Sequence, residues 1–169
     1  MSKKPTHYID NEKFFQEMSD WKKLVIEAEA IGENRPPINN YVGKCFLDIA
    51  IHLAQKPNFT NYPYKDEMIS DAVENCLLYA HNFNPEKSKN PFSYFTQITY
   101  YAFLRRIEKE KKQQYIKFKI TEMHDDGTLS SWFKTNYFEK DNTSDAMKEH
   151  FNISDTDLER LTPKKKKKK

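Results

Sequence analysis

Between Tyr94 and Lys109 the chain carries a set of side chains whose types and spacing suit one ligand chemistry. Tyr94, Phe95, Ile98, Ala102, Arg105, Arg106 and Lys109 fall on one side of a helix when each residue turns by about 100°. Flat π-faces stack on unpaired bases, and cations further along the same side meet phosphates, so the pattern is that of single-stranded nucleic acid binding. The opposite side holds Tyr100, Phe103, Leu104 and Ile107, which the spacing assigns to a core. A helix that is apolar all round is either buried on both sides or bound on one. A helix sandwiched inside a larger bundle is therefore the competing reading, and the cations argue against it.

The segment just before this one has a different character. Over residues 64–81, Ile69, Ala72, Val73, Cys76, Leu77 and Ala80 form one helical face, extended by Phe83. Asp66, Glu67, Ser70, Asp71 and Glu74 share most of the other, because residues three and four apart are neighbours on a helix. The helix dipole favours acids in a first turn, which accounts for Asp66 and Glu67. Asp71 and Glu74 lie further in. They mark either a solvated face or a surface for a cationic partner.

Other chemistry is hard to assemble. His7, His52, His81, His124 and His150 have no metal-ligand spacing with one another or with Cys45 and Cys76. With 3 Gly there is no phosphate-cradling loop, and no nucleophile elbow is present. Asp125-Asp126-Gly127 reads as a turn. The expectation is a binding protein without catalytic residues, cofactor or metal.

The 169 residues amount to about one domain. Charged residues make up 31% and mean hydropathy is -0.93, so the core must be small. An aromatic content of 14% nevertheless sets the chain apart from disordered sequences. Net charge is +3, with the basic residues clustered, and six lysines occupy positions 164–169. Neither a membrane span nor a signal peptide is expected, and the cysteines read as reduced, buried thiols.

Elements follow from caps and breakers. Asp10 is a fair N-cap for a helix to about Ala30 through Phe14, Phe15, Met18, Trp21, Leu24, Val25 and Ala28, stopped by Gly32 and Arg35-Pro36-Pro37. A second helix starts at Asn39 or Asn40 and runs to about Lys56, with Tyr41, Val42, Cys45, Phe46, Ile49, Ala50 and Leu53 on one face and Pro57 as its end. The loop 58–64 is a sticky linker. Pro91 suits the first position of a helix reaching about Lys112. Beyond it, Tyr115 to Ile120 alternates with period two, as in a short strand, and residues 128–139 read as a return strand or a helix. Short helices are expected over 144–151 and 154–161.

The order of these motifs resembles the second conserved region of bacterial sigma factors. Asp66-Glu67-Met68-Ile69 stands for a D-L-I-Q-type helix, Phe83-Asn84-Pro85-Glu86-Lys87-Ser88 for F-D-P-x-x-G, and Pro91-Phe92-Ser93-Tyr94-Phe95 for an aromatic F-S-T-Y-A-type helix. The whole chain is similar to the small sigma-like late-transcription factors of T-even-type bacteriophages, best over residues 40–112. It shares their Asn-Pro start and a basic end, Arg105-Arg106-Ile107-Glu108-Lys109-Glu110-Lys111-Lys112.

That resemblance implies an all-α fold: a small helical bundle of the sigma region-two kind, with a C-terminal segment of little regular structure or a short β-hairpin. Residues 1–37 would be an N-terminal helix and linker, 38–114 the helical core, and 115–169 an extension with a disordered lysine tail. The implied partners are host core RNA polymerase, bound through Asp66, Glu67, Ser70, Asp71 and Glu74, and promoter DNA in the cytoplasm of an infected bacterial cell. On the −10 element, Phe92, Tyr94 and Phe95 would line a pocket for a flipped base of the non-template single strand. Ile98 and Lys109 belong to the same DNA-binding set, and Ala102, Arg105 and Arg106 would lie by the upstream duplex edge.

Some positions depart from the pattern. Ile98-Thr99 replaces the tryptophan pair of primary sigma factors, and Ser88 replaces a glycine. No second helical domain is expected to read a −35 element. In the phage family a sliding clamp fills that role through a short hydrophobic C-terminal motif, of which Leu158 and Leu161 are a thin version, so a sliding clamp or co-activator stays open as a partner. The alternative from another class is a helical adaptor or structural protein whose aromatic face binds a partner protein.

Overall fold

The computed structural model describes residues 8–123 and 148–162, which are mostly helical with no strand among them. The fold is all-α. The backbone divides into two compact units, Met1–Arg106 and Ile107–Lys169.

The first unit is built from α1 (Asn11–Ala30), α2 (Asn40–Ala54), α3 (Lys65–Tyr79), a 3-10 turn at Ala80–Asn82, and the first part of α4 (Pro91–Met123). Its helix ends are set by local chemistry. The Asp10 carboxylate accepts from the amides of Glu12 and Lys13, and the Asn39 side chain accepts from Val42 at 2.9 Å. Asn90 caps α4 through the Ser93 amide at 3.0 Å, with Pro91 in the first turn, where its missing N–H costs nothing. Helix α1 stops where Gly32 turns left-handed, at φ 76°, which lets the Glu33 amide reach back to the Ala28 carbonyl at 2.9 Å.

The core of this unit is aromatic. Phe14, Met18 and Val25 of α1, Val42, Phe46 and Ile49 of α2, Cys76 of α3, Phe83 after the 3-10 turn, and Phe95 of α4 are all buried together. Phe95 is the hub, with ring centroids 4.4 Å from Phe46, 5.7 Å from Phe14 and 6.1 Å from Phe83. Helix α1 thus belongs to the same core as α2 to α4. Lys22 adds a polar tie from α1 to the carbonyl of His81.

The buried stripe of α4 differs from the expected one. Phe95, Thr99, Ala102 and Phe103 are buried, whereas Tyr100 and Leu104 are each 40% exposed. The reason is Thr99. Its hydroxyl donates to the Phe95 carbonyl at 2.9 Å and lies 3.6 Å from the Cys76 sulfur, so a polar residue sits in the core at little cost. A reading by apolarity alone skips that position and turns the stripe towards Tyr100.

In the second unit α4 continues to Met123, so the strand expected at Tyr115 to Ile120 is helix. The alternation there is equally an i, i+3 pattern: Phe118 is buried and Tyr115 packs beside it, while Ile116 and Ile120 are exposed. No Gly or Pro interrupts the run after Pro91, so nothing stops the helix. Phe118 and Ile153 form a small core with Tyr115, Phe151 and Leu158. The expected helix over 154–161 is α5 (Asp155–Leu161), capped by Ser154. Residues 148–150 are the helical end of the element expected before it. The expectations for 1–7, 124–147 and 163–169 lie outside the described residues.

A buried charge holds α5 against α4. Lys111 donates to both carboxylate oxygens of Asp157, at 2.8 and 2.9 Å, and the Ser154 hydroxyl adds a third bond at 2.7 Å. Burial works against the Asp157 charge, but the bonds from Lys111 and Ser154 outweigh it and hold the carboxyl below its ordinary value of 3.8. The carboxyl is therefore more acidic folded than unfolded. Its stabilising contribution is complete above the ordinary carboxylate range and fades as pH falls through the lower folded value. Protection factors for amide exchange in α5 and at Ile153, referred to the intrinsic rate at each pH, are expected to fall on acidification below about pH 4, and Asp157→Asn should show that lower protection already at neutral pH.

Candidate nucleic-acid interface

The acidic residues expected on α3 divide into two groups. Asp66, Glu67, Ser70 and Glu74 are exposed, and none of the three carboxylates has an ion pair among the described residues. Asp71 is different. Its Oδ2 accepts from Arg106 Nη1 at 3.1 Å, with the arginine side chain only 16% exposed. One turn on, Asn75 Oδ1 accepts from Arg105 Nη2 at 2.7 Å. The exposed edge of α3 then continues into Leu77, Leu78 and Tyr79, of which the helical spacing assigns Leu77 to the apolar face.

The aromatic-basic side of α4 is not one open surface. Phe95 and Ala102, expected at DNA, are 0% and 2% exposed, so neither can touch a ligand. Tyr94 is half-buried against Phe83, centroids 5.4 Å apart, and Ile98 is half-buried on the same core. Arg106 is turned to α3 rather than outward, because its guanidinium finds Asp71 there. Arg105 is exposed while bonded to Asn75. Phe92 is half-buried, its ring 5.7 Å from Tyr8, which stacks on His52 at 3.8 Å. Lys109 is exposed and belongs to the second unit. Both guanidiniums bond to α3, Arg106 to Asp71 and Arg105 to Asn75, and of the two residues only Arg105 is exposed.

What α4 does present is a groove against the end of α2 and the loop after it. Its volume is about 620 Å³. Leu53 and the buried Phe59 form its apolar floor, and α4 contributes Phe92, Ser93, Thr96, Gln97, Tyr100 and Tyr101. Lys56, Asn58 and Asn90 complete the lining, so it contains a cation and no carboxylate. Tyr101 is 50% exposed. Tyr100 stands edge-on to Phe59 at 5.7 Å and to Tyr101 at 5.8 Å, and Phe59 is backed in turn by Phe103 at 5.1 Å. The side chains of Lys56, Asn58, Gln97, Tyr100 and Tyr101 make no hydrogen bond or ion pair among the described residues. Sequence reasoning found Phe92 and missed the rest. The available signal was the adjacent tyrosines in a helix whose apolar period was already filled.

Both cysteines are free and buried. Burial pushes the Cys76 thiol up to about 11 and raises that of Cys45 as well, so both stay protonated and play no part in the surface chemistry. No described helix is long and apolar enough to cross a membrane. In sequence the chain matches no protein-family model and no curated protein.

Proposed function

We propose that the chain is a sigma-like transcription initiation factor that binds the core RNA polymerase of a bacterial host and engages and opens the −10 element of phage late promoters. One observation carries this reading. A single compact unit presents exposed carboxylates along α3 and an aromatic groove with a lysine beside α4, none of these charges having an ion pair among the described residues, and the two helices are joined by Asp71–Arg106 and Asn75–Arg105. An acidic edge suits a basic protein surface, and stacking faces with a lysine suit single-stranded DNA. The factor would work in the cytoplasm of the infected cell and carry no catalytic chemistry of its own. Within the DNA-binding set first read on α4, Phe92, Arg105 and Lys109 remain candidates for contact. Phe95 and Ala102 are removed by burial.

The exposed Leu77, Leu78 and Tyr79 favour the second reading, a helical adaptor, equally well. Transcription separates the two. The chain, mixed with host core polymerase and a template carrying an A·T-rich −10-type promoter, should direct a defined start that core polymerase alone does not. Capture of core polymerase without any promoter-specific transcript would leave the adaptor reading standing and end this one.

Docking has its own test. Glu67→Lys with Glu74→Lys reverses two exposed charges that have no ion pair among the described residues. The stability change of Glu74→Lys should stay within about 0.5 kcal/mol, and Glu67→Lys adds a first-turn dipole cost of up to about 1 kcal/mol. If α3 meets a basic surface, association with core polymerase should slow by about tenfold or more at low salt, with less difference at high salt. Surface-immobilised polymerase reads this as an on-rate. An unchanged rate would free α3 from that role.

A further inference from the structure

We infer that the chain associates with a second copy of itself, the acidic edge of α3 in one copy lying along a lysine–isoleucine face of α4 in the other. Lys109, Lys112, Gln113, Ile116, Lys117 and Ile120 stand at i, i+3, i+4, i+7, i+8 and i+11, so they share one face of α4, and all six are exposed. The face carries three lysines and no carboxylate. Ile116 and Ile120 are each about half exposed, while Tyr115 and Phe118 pack into the small core instead. Lys112 meets Glu108 at 3.1 Å, but both side chains are more than half exposed, so that pair is weak and exchangeable. On α3, Glu67, Ser70, Glu74, Leu77 and Leu78 stand at i, i+3, i+7, i+10 and i+11, again as one exposed face. Its two carboxylates have no ion pair among the described residues, and both leucines are about half exposed. Along each helix the charges come first and the aliphatic side chains last. Laid parallel, carboxylates meet lysines and leucines meet isoleucines; laid antiparallel, the leucines would cover lysines. Opposite charge thus fixes the register, and the aliphatic ends supply the burial. Isoleucines set among the lysines gain nothing from a phosphate backbone, which favours a protein ligand. Most soluble oligomers are built from copies of one chain. A contact between two single helix faces is small, so the association is weak and concentration-dependent. The inference does not rest on the initiation-factor reading. On that reading, though, the same α3 edge docks polymerase, and self-association would hold the factor in reserve.

The test is sedimentation equilibrium of the full chain over a wide range of concentration, before and after nuclease digestion. The average mass should climb above the 20.2 kDa of one chain as concentration rises, and climb less at high salt. Ile116→Gln with Ile120→Gln should weaken association by roughly tenfold or more. Both sites are exposed and Gln is a good helix former, so this chain should keep wild-type circular dichroism. Glu67→Lys with Glu74→Lys should abolish association, and so should Lys109→Glu with Lys112→Glu. An equal mixture of those two variants should associate again, because acidic and basic faces are then matched between unlike chains. That rescue should vanish when both chains also carry the two glutamines, which separates a built contact from bulk attraction between oppositely charged proteins. If a charge-reversed variant loses helicity, the glutamine chain decides the matter. A wild type that stays monomeric throughout overturns the inference, as does association that the glutamines leave unchanged. Association lost on nuclease digestion also overturns it, since nucleic acid is then the bridge. None of these results touches the initiation-factor reading, because no polymerase is present. A chain that self-associates in this way yet never captures core polymerase keeps the inference and sinks that reading.

Discussion

Phe95→Ala should destabilise the amino-terminal unit by about 3–5 kcal/mol, the usual cost of emptying an aromatic site in a packed core. The ring is 0% exposed and meets Phe14, Phe46, Phe83 and Tyr94, which come from α1, α2, the segment before α4 and α4 itself. No single neighbour can move in to fill the space. Against a total stability of about 5–15 kcal/mol for a domain, this loss brings the unit near its threshold. Urea titration followed by circular dichroism at 222 nm should show a lower midpoint with an unaltered slope. Gln97→Ala, on the exposed side of the same helix, should leave the midpoint in place. A Phe95→Ala midpoint close to wild type would show that the ring is not where α1 to α4 meet. A loss of promoter opening in Phe95→Ala would accordingly report a damaged fold and not a missing contact to a base.

The second large effect lies at Asp71 and Arg106. Hydrogen bonds that involve a charged group contribute about 1.5–3 kcal/mol, and Arg106→Ala should cost about that much, since it leaves the Asp71 carboxylate partly enclosed without its cation. Asp71→Lys should cost at least as much, because two cations then face each other. A double-mutant cycle with Asp71→Asn and Arg106→Gln should return a coupling energy of about 0.5–3 kcal/mol, whereas the pair Glu74→Gln and Arg106→Gln should be additive. Additivity at Asp71 would mean that the bridge holds nothing together. The outcome decides how polymerase-binding data are read. A defect in Asp71→Lys mixes docking with unfolding, while Glu74, exposed and beyond the first turn, reports docking.

Helix ends were legible because they rest on short-range chemistry: Asp10, Asn39, Asn90-Pro91 and Gly32 act within a turn of where they stand. The all-α class followed from those ends and from the helical spacing between them. The side of α4 that faces the core was not legible. Thr99 is polar by type but closes its own hydrogen bond, and Tyr100 is apolar in bulk but stands in a groove. Composition cannot distinguish a satisfied hydroxyl from a solvated one. The inward turn of Arg106 was not legible for a related reason: a cation is equally at home on a phosphate and on a neighbouring helix, and only the position of Asp71 chooses between them. The groove depends on residues from α2, the following loop and α4, which come together only through the fold.

Two sulfurs locked away as thiols also make the protein convenient to instrument. The chain has 2 cysteines, both in the core, and burial raises the thiol of each, so maleimide reagents meet little thiolate in the folded protein. A single cysteine placed at the exposed Glu67 or Gln97 would be the one fast-reacting position, without first removing a native residue. A dye on the α3 edge and another at the groove mouth would then report two encounters of the same molecule as separate optical signals, in real time and in the wild-type core.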